Sequence, residues 1–166
     1  MAWSAGGGWG RRLGPWLGLA ALIVAADQFT KIVIEKAFRI GDVKPVTGYF
    51  SLVLAHNRGA AFSMFDGGAD WHARVLTIVG VGACAFILYL LARHGSQRLF
   101  SSALALILGG ALGNVADRLL HGHVIDFLLF HYRQWEFPAF NVADSAITVG
   151  AALLILDELL RVRRSA

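Results

Sequence analysis

Long apolar stretches alternate with polar segments along the chain, and four of them, at 13–34, 72–92, 99–119 and 141–160, are each long enough to matter. Each runs about 20 residues, or about 30 Å as a helix, which matches one bilayer crossing. The pattern predicts an all-α membrane protein with four transmembrane helices. The two longer polar segments, 35–71 and 120–140, have patterns of their own. Within the first, the run Tyr49-Phe50-Ser51-Leu52-Val53-Leu54 is bounded by Gly48 and by Asn57 and Gly59. That predicts a small β-sheet at the membrane surface. The second follows the turn His121-Gly122-His123, carries an aromatic cluster from Phe130 to Trp135 suited to the bilayer interface, and is expected to be a short loop or helix. The first apolar run continues past Ala20-Ala21 to Asp27 with no small-residue cleavage site and polar flank. It is expected to stay as a membrane helix and not to leave as a signal peptide.

Composition supports lipid as the solvent: 57% of the 166 residues are hydrophobic and only 16% are charged. The spans use up most of that length, so a single membrane domain over 1–166 is expected. The net charge of +4 could point to nucleic acid, but the basic residues sit at the ends of apolar runs and form no aromatic-interleaved patch. Arg11 and Arg12 precede the first run, Arg93, His94 and Arg98 join the second to the third, and Arg161, Arg163 and Arg164 follow the fourth. By the positive-inside rule these places are cytoplasmic, so both termini face in and 35–71 and 120–140 face out. Cys84 is the only cysteine, which excludes an internal disulfide and any CxxC site.

A charged group within hydrocarbon costs about 2.5 to 3.5 kcal/mol on insertion scales, so those present need a reason. Asp27 and Lys31 close the first run, Asn114, Asp117 and Arg118 close the third, and Asn141 and Asp144 open the fourth. Spacings of three and four put each set on one helix face. Three polar faces at one depth are satisfied by turning toward each other, which predicts a polar pocket below the outer surface within reach of Asp126. The pocket lacks the residues of other hydrolytic chemistries. No HExxH occurs, and His121-x-His123 beside Asp126 is a weaker metal alternative than a pair of interfacial histidines. Neither a GxS motif nor a histidine on a facing helix is evident for a serine mechanism, so Ser63 and Ser145 read as hydrogen-bonding residues. Two carboxylates sharing a proton can hydrolyse a peptide bond, one taking a proton from water while the other donates to the carbonyl oxygen. Composition alone does not choose the pair, and Asp117 stays a candidate beside Asp126 and Asp144.

Five blocks resemble one family in order and spacing. They are Asp27-Gln28-Phe29-Thr30-Lys31, Asn57-Arg58-Gly59-Ala60-Ala61-Phe62-Ser63, Gly113-Asn114-Val115-Ala116-Asp117-Arg118, Val124-Ile125-Asp126-Phe127 and Phe140-Asn141-Val142-Ala143-Asp144-Ser145. Over 27–150 the chain is similar to lipoprotein signal peptidase, the bacterial signal peptidase II. The resemblance implies an aspartic endopeptidase of the bacterial inner membrane with Asp126 and Asp144 as the catalytic pair, working without metal or cofactor. It implies that Asp27, Lys31, Asn57, Gly59, Asn114, Asp117, Arg118 and Asn141 support the site or contact substrate and the inhibitor globomycin. The implied substrate is a prolipoprotein whose cysteine carries a diacylglyceryl group, held in membrane lipid and cut on the amino side of that cysteine.

Blander readings stand beside these. Asp27 with Lys31 could be a helix-end ion pair near the headgroups, Asn57-Arg58-Gly59 a turn, and Asp157, Glu158 and the last arginines an ordinary cytoplasmic helix end. The rival function is a small proton-coupled transporter, since intramembrane carboxylates also mark ion pathways. Such a pathway needs polar groups across the whole thickness, and here they gather at one end. A non-catalytic assembly protein would not require paired carboxylates.

Overall fold

The computed structural model describes residues 8–59 and 71–165, with side chains over 13–59 and 72–163. Ala60 to Ser63 of the second block, and the side chains of Arg11, Arg12 and Arg164, lie outside the described residues.

Four helices form: α1 (Gly8–Ala37), α2 (Trp71–His94), α3 (Arg98–His121) and α4 (Val142–Ser165). Three of them contain stretches long and apolar enough to cross a membrane: Leu13–Ala37, His72–His94 and Arg98–His121. The helix α4 does not qualify, although it has 24 residues. Asp144 stands near its start and Asp157, Glu158 and Arg161 near its end, leaving too short an uncharged stretch between them. Outward-facing Leu22, Phe29, Ile78, Phe86, Ile155 and Leu159 are exposed, as expected where lipid replaces water.

The centre of the bundle is α3, with α1, α2 and α4 packed around it. Glycines on α3 permit this close approach. A Cβ on Gly109 would meet Ala20 and Ile23 of α1, and one on Gly110 would strike Ala143 and Ile147 of α4. Small residues at such crossings let backbones meet where the hydrophobic effect offers no drive. Away from the sheet, Ala20, Cys84, Ile87, Leu91, Leu104 and Leu108 fill the space between α1, α2 and α3. At that same end Trp16 Nε1 donates to the Gly95 carbonyl, while Arg161 donates to Gln97 and lies over the Phe100 ring.

A four-stranded antiparallel sheet caps the other end in the order β1 (Val43–Pro45), β2 (Phe50–Asn57), β3 (Val124–Tyr132), β4 (Trp135–Glu136). The expected strand in 35–71 is present and extends to Asn57. The expectation of a loop or helix over 120–140 is corrected: most of it is strand. Its run Val124–Tyr132 is rich in β-branched and aromatic residues, and β2 offers a neighbour for pairing, so strand formation wins over a merely interfacial role. The fold remains mostly helical with a small sheet beside the bundle. Gly122 makes the junction. With φ of 73° it ends α3 in the left-handed conformation, its N–H bonded to the Arg118 carbonyl, and turns the chain into β3. Ile34 of α1 joins Leu54, Ile125 and Phe127 in a second apolar cluster that fixes the sheet to the bundle.

Candidate active site

The polar residues at the ends of α1, α3 and α4 meet directly under the sheet, in two connected groups. The first surrounds Lys31, which is 1% exposed. An ammonium has three donors. Here they reach Asp27 Oδ2 at 2.7 Å, Asp117 Oδ2 at 2.7 Å and Asn114 Oδ1 at 3.2 Å. Both carboxylates have further partners. Asp27 Oδ1 accepts from the Ala143 N–H at 2.9 Å, at the start of α4 where the helix dipole favours an anion. Asp117 accepts from Gln28 Nε2 at 2.7 Å and from the Ile125 N–H at 3.2 Å. The expected helix-end ion pair of Asp27 and Lys31 is present, and both residues are buried within the protein. The α1 face carrying them packs against α3, which withdraws both from water.

Asn141 and Asn114 link this group to the second. Asn141 precedes α4 as its N-cap, with its Oδ1 accepting from the Asp144 N–H at 2.9 Å. The Nδ2 of Asn141 donates to Asp126 Oδ1 at 2.7 Å and to Asn114 Oδ1 at 3.2 Å. Asn114 Nδ2 donates in turn to Asp144 Oδ1 at 2.7 Å. From the opposite side Asn57 Nδ2 reaches Asp126 Oδ2 at 3.0 Å, and Asn57 Oδ1 accepts from the Gly59 N–H. The turn reading of Asn57-Arg58-Gly59 therefore holds, and the same asparagine also serves Asp126. Asp126 lies just past an irregularity in the β2–β3 register between Leu52 and Ala55. Neither Asp126 nor Asp144 has a cation bonded to it among the described residues.

Asp126 and Asp144 face one cavity of about 1560 Å³. Asn57, Gly59 and Arg118 share that lining, whereas Asp27, Lys31, Asn114, Asp117 and Asn141 stand behind it. Leu76 of α2 and Val149 of α4 make an apolar wall, and Val53, Leu129 and Phe137 an apolar roof from the sheet side. Burial pushes the Asp126 carboxyl up to about 7, against the opposing Asn57 hydrogen bond and with the help of the Asp144 charge. Arg118 bonds the Asn114 carbonyl at 3.4 Å, and its Nε has no partner among the described residues. Both Asp126 oxygens accept from asparagines, and His123 stacks on His56.

Every site residue expected from the sequence and described here belongs to this network or its cavity. Sequence reasoning missed Gln28 and the closeness allowed by Gly113. Gln28 was legible, since it lies three positions before Lys31 and so shares its face. Gly113 was not, because its neighbour is on another helix: a Cβ there would stand 2.6 Å from Asp27 Oδ2.

Fold and acidic site together define a helical membrane enzyme. Two solved structures titled as bacterial membrane enzymes, determined by the in meso method, share the fold. One, at 2.3 Å resolution, has a TM-score of 0.82 and 29% identity over 93% of each chain. The other, at 1.9 Å, has a TM-score of 0.78 and 30% identity over 89% of this chain and 94% of its own. The family model described as Signal peptidase (SPase) II matches residues 19–160, and the chain belongs to that family. Proteins named lipoprotein signal peptidase are similar throughout. That of Ralstonia nicotianae is 58% identical over 96% of this chain and 91% of its own. That of Paraburkholderia phytofirmans is 59% identical over 92% and 89%. The protein is a peptidase, and the transporter reading is set aside.

Proposed function

We propose that the chain is an aspartic endopeptidase that removes signal peptides from prolipoproteins, with Asp126 and Asp144 as its catalytic pair. The observation that carries this is a contrast in partners. These two carboxylates face one cavity and bond to neutral asparagines, while the neighbouring acids are neutralised by Lys31. A carboxyl raised to about 7 is protonated in part of the population near neutral pH and can donate to a carbonyl oxygen. Its ionised partner then takes a proton from the attacking water. The water oxygen bonds to the carbonyl carbon, the C–N bond breaks, and the amine leaves with a proton returned by the pair. Asn57, Asn114 and Asn141 hold the carboxyls in orientation. Asp117 and Arg118 support them from α3, the first through Lys31 and the Ile125 N–H, the second from the cavity wall.

In this reading the protein is one membrane unit of four spans in the bacterial inner membrane, α4 being the fourth. Both termini are cytoplasmic and the sheet lies against the outer leaflet. The substrate cysteine carries a diacylglyceryl group, and cleavage falls on its amino side. The apolar wall of Leu76 and Val149 suits acyl chains, and the sheet roof suits an extended peptide. Globomycin is expected to compete for the same cavity. The test is Asp126→Asn and Asp144→Asn, assayed singly on a lipidated precursor with purified protein in lipid. Each is expected to lose at least about a thousandfold in turnover while staying folded. Near-normal turnover in either variant defeats the pair.

A further inference from the structure

Outside the network, three histidines gather where β2 ends and α3 turns into β3. His56 and His123 stack with ring centroids 3.8 Å apart and planes at 25°. His121 comes within 5.9 Å of His123. The Nε2 atoms of His56 and His123 are both buried with no hydrogen-bond partner among the described residues. A bare ring nitrogen is tolerable as an unused acceptor, but a buried N–H or a buried charge is not. The unpartnered nitrogen of His123 therefore fits a neutral ring.

The position of this stack links it to the site. His56 immediately precedes Asn57, whose amide holds Asp126, and His123 precedes Val124, the residue opposite Asn57 in the β2–β3 ladder. The stack is thus the outermost clamp on the two strand ends that carry Asn57 and Asp126. We infer that His56 and His123 are positioning residues, whose ring stacking keeps Asn57 on Asp126 and is released when His123 takes up a proton. This rests on the peptidase reading for its effect on turnover.

The surrounding charges set the direction. His121 at the end of α3 and Arg58 just past β2 are the groups that act on His123 besides His56, and both oppose a positive charge there. Burial and then the His56 ring hold His123 below the ordinary imidazole range, against a bond to the His121 backbone that works the other way. On β3 itself, Asp126 turns its oxygens to Asn57 and Asn141. Arg118 is the cation nearby on α3 and bonds the Asn114 carbonyl. A proton on His123 would place a charge against the His56 ring with His121 and Arg58 opposing it, so acid separates the strand ends. A ring whose pKa falls on folding binds its proton better when unfolded, so stability is lost as pH falls through about 6.5.

The experiment compares wild type, His123→Phe and His123→Ala on a lipidated precursor between pH 5.5 and pH 8. His123→Phe keeps a stacked ring and cannot take up the proton. It is expected to match wild type at pH 8 within about twofold and to retain about fivefold more kcat/KM than wild type at pH 5.5. His123→Ala removes the clamp and is expected to lose about tenfold at every pH, with little further loss when combined with Asn57→Ala. Thermal unfolding is measured alongside, and His123→Phe is expected to lose less Tm than wild type on acidification. An acid profile of turnover in His123→Phe that superimposes on wild type overturns the inference, as does full additivity of His123→Ala with Asn57→Ala. If wild type cleaves nothing at pH 8, the peptidase reading alone falls. The unfolding measurement then decides: equal acid losses of Tm overturn the inference, and a smaller loss in His123→Phe supports it.

Discussion

Two sets of acids sit side by side beneath the sheet, and they are treated in opposite ways. Asp27 and Asp117 share Lys31, take backbone N–H bonds and are removed from the cavity. Asp126 and Asp144 have no bonded cation among the described residues and keep one open face. The first set meets the ordinary requirement of a buried charge, a counter-charge with every donor used. The second leaves that requirement unmet, which costs stability and leaves protons free to move. Counting carboxylates in the pocket would have made all four equivalent. What separates them is which one the lysine reaches.

That contrast can be tested where it is strongest. Lys31→Met keeps the side-chain volume but leaves two buried carboxylates without a cation, and is expected to lose about 3–5 kcal/mol of unfolding free energy. Unfolding in detergent measures it. A variant as stable as wild type yet inactive would move Lys31 into the reactive group and erase the distinction.

The next effect has the opposite sign. Asp126 is neutral more readily in the folded chain than in the unfolded one, so its ionisation opposes folding as pH rises from about 4 to about 7. Asp126→Asn is therefore expected to be more stable than wild type by about 2–4 kcal/mol at pH 8, with the gain vanishing toward pH 4. A gain independent of pH would mean that burial of charge is not the cause. Smallest is Gly113→Ala, whose new methyl presses on Asp27 and should cost about 1–3 kcal/mol. If it costs nothing, the lysine-centred group is looser than its distances imply.

The chain announced much of this arrangement. Acids and amides three and four apart at the ends of apolar runs gave the faces, and the shared depth of those ends gave the pocket. Asn141 with Asp144 was readable as a helix start, and that helix start is where the two groups join. Other parts were hidden by the kind of information they need. Val124–Tyr132 pairs as a strand because β2 lies beside it, and its aromatic content by itself is equally at home at a lipid interface. The partition of the four acids depends on where Lys31 points across to α3, a distance in space that spacing along one helix does not encode. The charged flanks of α4 were visible, yet they shorten its apolar stretch below what length alone suggested.

The helix α4 is held at both extremities: Asp27 grips the Ala143 N–H and Asn141 caps the start, while Arg161 ties the far end to Gln97 and Phe100. A strut anchored in this way cannot tilt without breaking one of its fastenings. The wall bearing Asp144 is accordingly the fixed side of the cavity, the one to which whatever enters must conform.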